Sequence, residues 1–258
     1  MAYTSLAQVD DLPESLPVLR LDGYDSDLSS IDEQDPFGRM TLVETAPPPE
    51  YGAIGKVTFE LLDTPIELAQ DLSGGCGGKI WEAAGVMVDY MLWKQEQTQG
   101  LFLQGKKVLE LGSGTGLVGL AVAKGCANVD TMVITDQIPM MHLMSQNITL
   151  NKLDDRVQAK ILDWGAPISS DIPVPDVILA SDCVYLEVAY QPLIDTLVAL
   201  SNKDTDIYMS YRKRRRANKR FFQMARKKFH LIEVTEDPKR EQYTKDGLRL
   251  YLMKKKSQ

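Results

Sequence analysis

Residues 108–116 read Val108-Leu109-Glu110-Leu111-Gly112-Ser113-Gly114-Thr115-Gly116, an apolar run that leads directly into three glycines at alternate positions. The run predicts a buried strand, and the apolar residues from Leu117 to about Lys124 predict a helix. Glycines between a strand and a helix let the backbone approach a ligand closely. The stretch therefore predicts the first unit of a ligand-binding α/β sheet, although a turn that merely needs glycine fits the same residues.

Strand and helix patterns alternate along the chain from this unit onward. The predicted strands are Val108–Leu111, Met132–Thr135, Val157–Leu162, Val177–Ala180, Ile207–Tyr211, His230–Val234 and Leu248–Met253. Predicted helices lie at about 117–124, 140–151, 187–200 and 215–228. This alternation predicts a doubly wound, Rossmann-like α/β sheet of seven mostly parallel strands, with helices on both faces and a ligand beyond the carboxyl ends of the strands.

The first 50 residues differ from the rest of the chain in charge. They contain 11 acidic and two basic residues, a net charge of −9, whereas the other 208 residues contain 25 acidic and 27 basic residues, a net charge of +2. The segment shows no sustained apolar period and ends in Ala46-Pro47-Pro48-Pro49. We therefore predict a disordered acidic leader over 1–50 and one folded domain over 51–258, in which Val57–Leu61 is a strand and Trp81–Trp93 a helix.

The composition argues against several classes of protein. No apolar run approaches the roughly 18 residues that span a bilayer, and the N-terminus lacks the basic and apolar regions of a secretory signal, so we expect a cytoplasmic protein. The chain has three widely spaced cysteines, Cys76, Cys126 and Cys183, and no CxxC pair. This pattern argues against both a disulfide framework and a zinc site. With only His142 and His230, a multi-histidine metal centre is excluded, and we expect no metal at the site.

Acidic residues lie at the ends of three consecutive predicted strands. Glu110 precedes the first glycine by two residues, where it would repel a pyrophosphate and attract a cationic amine. Asp136 ends the next strand, where a carboxylate can accept both hydroxyls of an adenosine ribose. Asp163 and Trp164 end the third strand and offer an acid and an indole to an adenine. Together they predict S-adenosylmethionine, an adenosine with a cationic tail, while each acid alone also fits an ordinary strand end.

A second glycine cluster, at 74–78, precedes Lys79. It is not a P-loop, because Ser73 stands where the GxxxxGK[ST] motif requires glycine, and Ile80 stands where it requires Ser or Thr. We interpret the cluster as a hinge that brings Trp81 over the cofactor pocket. A tryptophan buried in the core is the alternative.

The fourth predicted strand opens into Ser181-Asp182-Cys183-Val184-Tyr185-Leu186-Glu187. This run lacks the proline-containing [DN]PP[YF] turn that is usual in methylases of nucleobases and glutamine. Together with the run 108–119 and the triplet Asp163-Trp164-Gly165, it resembles the class I, seven-β-strand lysine methyltransferases that carry a DxxY motif. Residues 74–81 and 211–215 most resemble the fungal members that modify a lysine of translation elongation factor 1-alpha.

The resemblance implies a set of site residues. The DxxY residues Asp182 and Tyr185 would be catalytic: Asp182 would attract and orient the lysine, and Tyr185 would hydrogen-bond its amine. Whether Asp182 takes the lysine proton itself or passes it to water stays open. The relatives also suggest a monomer. Contacts to S-adenosylmethionine are implied for Trp81, Gly112, Ser113, Gly114, Asp136, Trp164 and, through its backbone, Ser181, in addition to the contact that its charge predicts for Glu110.

The segment 212–228 contains ten basic residues and no acidic ones. With Phe221, Phe222 and Ala225 buried on one side, it would present a positive ridge that could bind nucleic acid, an acidic protein surface or the acidic leader. Three functions from different classes follow. The first is a protein-lysine methyltransferase, which the motifs taken together favour. The second is an RNA methyltransferase that would use the basic helix. The third is an inactive cofactor-binding adaptor, which is disfavoured because Glu110, Asp136 and Asp182 are all present.

Overall fold

The computed structural model describes residues 54–71, 77–213 and 215–257, with the backbone alone over 215–217. Its strands are β1 (Gly55–Val57), β2 (Ile66–Leu68), β3 (Lys107–Leu111), β4 (Thr131–Asp136), β5 (Val157–Ile161), β6 (Val177–Ser181), β7 (Asp206–Arg212), β8 (Phe229–Glu233) and β9 (Leu248–Lys255). Its helices are α1 (Glu82–Gln97), α2 (Leu117–Gly125), α3 (Met141–Leu150), α4 (Tyr190–Leu200), α5 (Arg215–Ala225) and α6 (Arg240–Lys245). Among these described helices, none is both long and apolar enough to cross a membrane. The predicted acidic leader lies outside the described residues, as do residues 74–76 of the glycine cluster.

The strands from β3 to β9 form one seven-stranded sheet in the order β5-β4-β3-β6-β7-β9-β8. Neighbouring strands from β5 to β7 are parallel, whereas β9 lies antiparallel to both β7 and β8. The predicted doubly wound, mostly parallel sheet is therefore confirmed. The chain moves outward from β3 to β5 and then returns to place β6 on the other side of β3. In open α/β sheets ligands bind at the carboxyl ends of the strands beside such a reversal.

Both faces of the sheet are apolar because the residues of its inner strands alternate between two cores. Val108 of β3 and Leu179 of β6 pack with α1 and α2 on one face. Their chain neighbours Leu109 and Ile178 pack with α4 and α5 on the other face. Full burial of one such aliphatic side chain contributes about 1.5–3 kcal/mol, so the two-residue period of the strands determines where the helices pack.

The N-terminal part of the domain departs from the prediction. Strand β1 ends at Val57, so the strand predicted over 57–61 is wrong: the amide of Leu62 donates to the carbonyl of Phe59 at 3.0 Å and closes a turn there. Strand β2, which pairs antiparallel with β1, and the short helix α6 have no counterpart in the prediction. The helix predicted over 187–200 begins as a 3₁₀ turn over Glu187–Ala189 and continues as α4.

Asn147 of α3 and Asn151, the residue just after α3, pair with the backbone around β2 as a neighbouring strand would. Asn151 accepts from the amide of Glu67 at 3.0 Å and donates to its carbonyl at 2.7 Å. Asn147 makes the same pair with Ala69, at 2.7 and 3.1 Å, and also donates to the carbonyl of Thr115 at 2.9 Å. Residues four apart in a helix rise by about 6 Å and residues two apart in a strand by about 6.8 Å, so the two spacings match. The β1–β2 hairpin is thereby tied to the glycine turn after β3.

We predict that Asn147→Ala lowers the free energy of unfolding by about 2–4 kcal/mol, because it leaves buried backbone groups of Ala69 and Thr115 without their partner. Ser145→Ala, at an exposed position of the same helix, should change it by less than about 0.5 kcal/mol. Urea unfolding followed by circular dichroism measures both values. Equal stability of the two variants would contradict the bridging role of Asn147.

Candidate active site

A cavity of about 540 Å³ opens at the carboxyl ends of β3, β4 and β6. Apolar side chains of Leu162, Pro139 and Met140 form part of its wall. Asp163, which the sequence places near an adenine, is exposed and is not among the residues that line the cavity, whereas its neighbour Trp164 is. All ten residues predicted for the site line it: Trp81, Glu110, Gly112, Ser113, Gly114, Asp136, Trp164, Ser181, Asp182 and Tyr185.

The turn after β3 needs glycine at two positions for both conformation and space. Gly112 and Gly114 have φ angles of 62° and 54°, in the left-handed region that other residues rarely adopt. A Cβ on Gly112 would lie 2.9 Å from the ring of Trp164, and a Cβ on Gly114 would collide with the carbonyl of Gly77. The backbone therefore closes tightly against the indole and the segment before α1. The turn is shaped by these contacts and is more specific than a turn that merely tolerates glycine.

The carboxyl group of Glu110 is buried beneath the first turn of α2. Its Oε2 accepts from the amide of Gly119 at 2.9 Å, one of the helix N-terminal amides that have no partner within the helix. Burial raises the pKa of Glu110 to about 8, and the hydrogen bond from Gly119 counteracts this only in part. A cationic group bound in the cavity would favour the ionised carboxylate, whereas a phosphate would be repelled by it.

Asp136, at the end of β4, holds the glycine turn through its carboxylate. Oδ2 accepts from the amide of Gly114 at 2.8 Å, and Oδ1 accepts from the amide of Gln137 at 2.7 Å. The pKa of Asp136 is raised above its ordinary value. Burial is the main cause and the nearby charge of Asp163 adds to it, while the two amide donors oppose it. Each carboxylate oxygen can accept more than one hydrogen bond, so the group can bind hydroxyls of a ligand while it holds the turn.

Trp81 lies at the wall of the cavity and is only partly buried. The ammonium group of Lys79 lies 5.2 Å from the centroid of its ring, within the range of a cation–π contact. This position agrees with the prediction that Trp81 covers the pocket and not with a tryptophan buried in the core. Trp164 lies at another part of the same wall, after β5, beside Gly112.

Asp182, the first residue after β6, is held in an uncommon backbone conformation. Its φ angle is 51°, its amide donates to the carbonyl of Ser210 at 2.8 Å, and its Oδ1 accepts from the amide of Arg212 at 3.3 Å. A left-handed conformation at a residue other than glycine costs on the order of 1 kcal/mol and is often found at functional sites. The contacts with β7 fix the carboxylate at the cavity, where Tyr185, half-exposed, lies three residues further on.

A second, smaller cavity of about 230 Å³ adjoins the first. Its walls include Lys79, Glu82 and Arg212, and the guanidinium of Arg212 forms an ion pair with Glu82. Trp81 and Asp182 line both cavities. Asp182 can therefore be reached from two sides.

Cys183 lines the first cavity, but its thiol is not suited to nucleophilic attack. The thiol donates to the carbonyl of Leu111 at 3.2 Å, and burial raises its pKa well above the usual range. It is therefore protonated at neutral pH and packs as a small apolar group. Within the described ranges, no group of three or more His, Cys, Asp or Glu side chains is placed to hold a metal ion.

Sequence reasoning missed two features of the site. The walls of the second cavity come from residues near 80 and from Arg212, which no local motif connects. Asn218 of α5 is buried, and its Nδ2 donates to the carbonyl of Val184 inside the DxxY motif at 3.0 Å. The spacing of Asn218 could have indicated its burial. It precedes Phe221, Phe222 and Ala225 by three, four and seven positions, so it lies on the same, buried face of the helix.

Comparison with known proteins places the chain in a family. Residues 61–228 match the family model described as lysine methyltransferase. The chain is 39% identical over 202 residues to the Saccharomyces cerevisiae protein-lysine N-methyltransferase EFM6, which covers 70% of this chain and 82% of the relative. It is 30% identical over 170 residues to the Xenopus tropicalis EEF1A lysine methyltransferase 3, covering 65% of this chain and 72% of the relative. A solved Pyrococcus horikoshii structure, described as a candidate RNA methyltransferase, matches with a TM-score of 0.51 at 13% identity over 73% of this chain and 90% of that one, a likeness of fold alone.

The chain belongs to the lysine methyltransferase family. It is a protein-lysine N-methyltransferase, its methyl donor is S-adenosylmethionine, and its substrate is a protein. The resemblance to the DxxY lysine methyltransferases is thereby confirmed. The RNA methyltransferase alternative is not favoured, because the family and the named relatives with high sequence identity act on protein lysines. The individual contacts of the ten site residues stay predictions.

We predict that S-adenosylmethionine binds more weakly as the pH falls from 8 to 6.5, by about ten-fold, because the protonated Glu110 must ionise to pair with the cationic amino group. Equilibrium dialysis at constant ionic strength measures the effect. Glu110→Gln, which keeps the acceptor for Gly119, should bind the cofactor weakly at pH 8 and show little change over the same range. A wild-type affinity that is independent of pH would show that Glu110 does not contact the amine.

Proposed function

We propose that this enzyme methylates a lysine of translation elongation factor 1-alpha and that Asp182 and Tyr185 are its catalytic residues. The observation that carries the catalytic assignment is the position of Asp182, which lines both the larger cavity and the smaller one beside it. The substrate assignment is supported by the name of the Xenopus relative and by the resemblance of 74–81 and 211–215 to fungal enzymes of this specificity. The cytoplasmic location and the monomeric state stay predictions.

The larger cavity has the chemistry that S-adenosylmethionine requires. In this proposal the carboxylate of Glu110 binds the cationic amino group, the carboxylate of Asp136 accepts from the ribose hydroxyls, and the indole of Trp164 packs beside the adenine. Bound S-adenosylmethionine supplies a methyl group, which leaves the sulfonium by in-line displacement. The remaining contacts come from the glycine turn, from the end of β6 and from the indole before α1: Gly112, Ser113, Gly114, Ser181 and Trp81.

In this proposal the target lysine passes beside the smaller cavity and meets the methyl group near Asp182, which lines both cavities. A lysine ammonium has no lone pair, and its reference pKa is about 10.4, so it must lose a proton before it can accept a methyl group. Entry into a site with little water lowers that pKa. The carboxylate of Asp182, buried and fixed by the amide of Arg212, attracts the ammonium and orients the amine, and the released proton goes to this carboxylate or to water. In this proposal the hydroxyl of Tyr185, which lines the larger cavity, hydrogen-bonds the amine.

The test is methylation of unmodified, bacterially produced elongation factor 1-alpha, followed by mass spectrometry of its lysines. Wild-type enzyme should add methyl groups to one lysine. Asp182→Asn should keep the Kd for S-adenosylmethionine within about three-fold and lower kcat by about 100-fold or more, which is the usual effect of losing a side chain that takes part in proton transfer. Asparagine tolerates the left-handed backbone and can still accept from Arg212, so the fold is expected to stay intact. Tyr185→Phe should lower kcat by about ten-fold, because it removes one hydrogen bond to the amine.

The matched control is Asp195→Asn, on the exposed face of α4, where the carboxylate accepts from the side-chain amide of Gln191 at 2.8 Å. Its activity should equal that of the wild type. If Asp182→Asn also retained full activity, Asp182 would have no catalytic role. If the wild type modified other proteins in a lysate but never elongation factor 1-alpha, the substrate assignment would be wrong while the enzyme class stood.

A further inference from the structure

We propose that the protein substrate docks through an acidic surface on a bipartite patch beside the active site. One part is an apolar rim of Tyr185, Leu186 and Val188, and the other is the cationic face of α5 and its flanking residues. The cationic face consists of Lys213, Lys219, Arg226, Lys227 and Lys228. The inference rests on the proposed function, since it concerns how the same site selects its protein.

The buried residues of α5 determine which side of the helix meets solvent. Asn218, Phe221, Phe222 and Ala225 point inward, at most 6% exposed, at the spacing of one helical face. Lys219, on the opposite side, is exposed, as are residues 220, 223 and 226–228. Since the segment 212–228 has ten basic residues and no acidic ones, the exposed side has one sign of charge. Such a surface attracts partners of opposite charge.

Three contacts hold the start of α5 against the loop that forms the rim. Asn218 donates to the carbonyl of Val184, and the guanidinium of Arg220 forms an ion pair with Glu187. The ring of Phe221 packs edge-on against Tyr190, with centroids 5.5 Å apart. The first turns of α5 therefore lie beside the DxxY motif, and the rim and the cationic face are continuous.

The cationic face extends away from the cavity. Helix α5 follows β7 and runs back along the sheet, so Lys213 lies at the cavity end, one residue after Arg212 of the smaller cavity. The far end lies at the opposite edge, where Lys228 accepts through its carbonyl from the amide of Lys256 at 2.9 Å, just after β9. Eleven helical residues rise by roughly 16 Å, so a partner can bind this face while one of its lysines enters the site.

The charges of the face are available to a partner. In the ion pairs formed between described residues, Arg212 pairs with Glu82 and Arg220 pairs with Glu187, whereas no such pair involves Lys213 or Lys219. The same holds for the three bases at the far end of α5. Lys213 and Lys219 are both exposed, so a partner can reach these basic side chains.

The rim favours a protein over nucleic acid as the occupant. Leu186 and Val188 are 38% and 39% exposed, which is unusual for aliphatic side chains at the mouth of a cavity. Two of the three rim residues are aliphatic and cannot stack on bases as aromatic side chains do, and the relatives of this enzyme act on protein lysines. The complementary surface has an apolar residue close to the target lysine and acidic residues spread over roughly 16 Å beside it.

The experiment compares Lys213→Glu/Lys219→Glu with a control of equal charge change, Lys56→Glu/Lys152→Glu, in the full chain. Lys56 of β1 and Lys152, just after α3, are exposed, and both elements pack on the face of the sheet opposite to α5. With unmodified elongation factor 1-alpha as substrate, the first variant should raise KM by about ten-fold and leave kcat and the Kd for S-adenosylmethionine unchanged. The wild-type KM should rise with salt from 50 to 300 mM more steeply than that of the variant.

Each other result overturns the proposal. Equal KM values for the two double variants would show that the cationic face does not dock the substrate. A lower KM in the first variant would show that the face binds the acidic leader and blocks the site. Loss of wild-type activity on RNase treatment would identify RNA as the occupant. Wild-type enzyme that methylates no protein would refute the proposed function itself, whereas the first three results leave it standing.

Discussion

A carboxyl group buried at the carboxyl end of β3 is the constraint on which the active site depends. Burial of Glu110 is tolerated because the amide of Gly119 donates to it from the first turn of α2. That contact requires the helix to begin directly above the strand, and the glycines at 112 and 114 make this close connection possible. When it is ionised, the same group repels a bound phosphate and pairs with a cation. One buried group therefore links the shape of the turn to the chemistry of the cofactor.

The order of the strands brings the other acids to the same place. Strands β4 and β6 are the two neighbours of β3, and adjacent strands lie only about 4.8 Å apart, so Asp136 and Asp182 end beside Glu110 at one edge of the sheet. Asp136 lines the larger cavity and not the smaller one, whereas Asp182 lines both. In the proposed mechanism the position of β6 across the reversal of the chain places Asp182 between the methyl donor and the lysine. Asn218 of α5 donates to the DxxY segment and so connects the proposed docking face to the proposed catalytic residues.

The sequence predicted the parts of the molecule whose signals are local. The inner strands β3, β4 and β6 have apolar runs, and the residues at or just after strand ends, such as Asp136 and Trp164, could be located from the strand boundaries. Strand β2 could not be predicted, because its three residues are held by pairing with the equally short β1 and by Asn147 and Asn151, about 80 positions away. Likewise the smaller cavity forms only when β7 brings Arg212 to Glu82.

The central claim is that acidic strand ends select a cationic nucleoside and reject phosphorylated ligands. Isothermal titration calorimetry of the full chain with S-adenosylmethionine, ATP and NAD tests this claim most directly. The account predicts saturable binding of S-adenosylmethionine in the micromolar range and no measurable heat from either phosphorylated nucleotide. Tighter binding of ATP or NAD than of S-adenosylmethionine would contradict it.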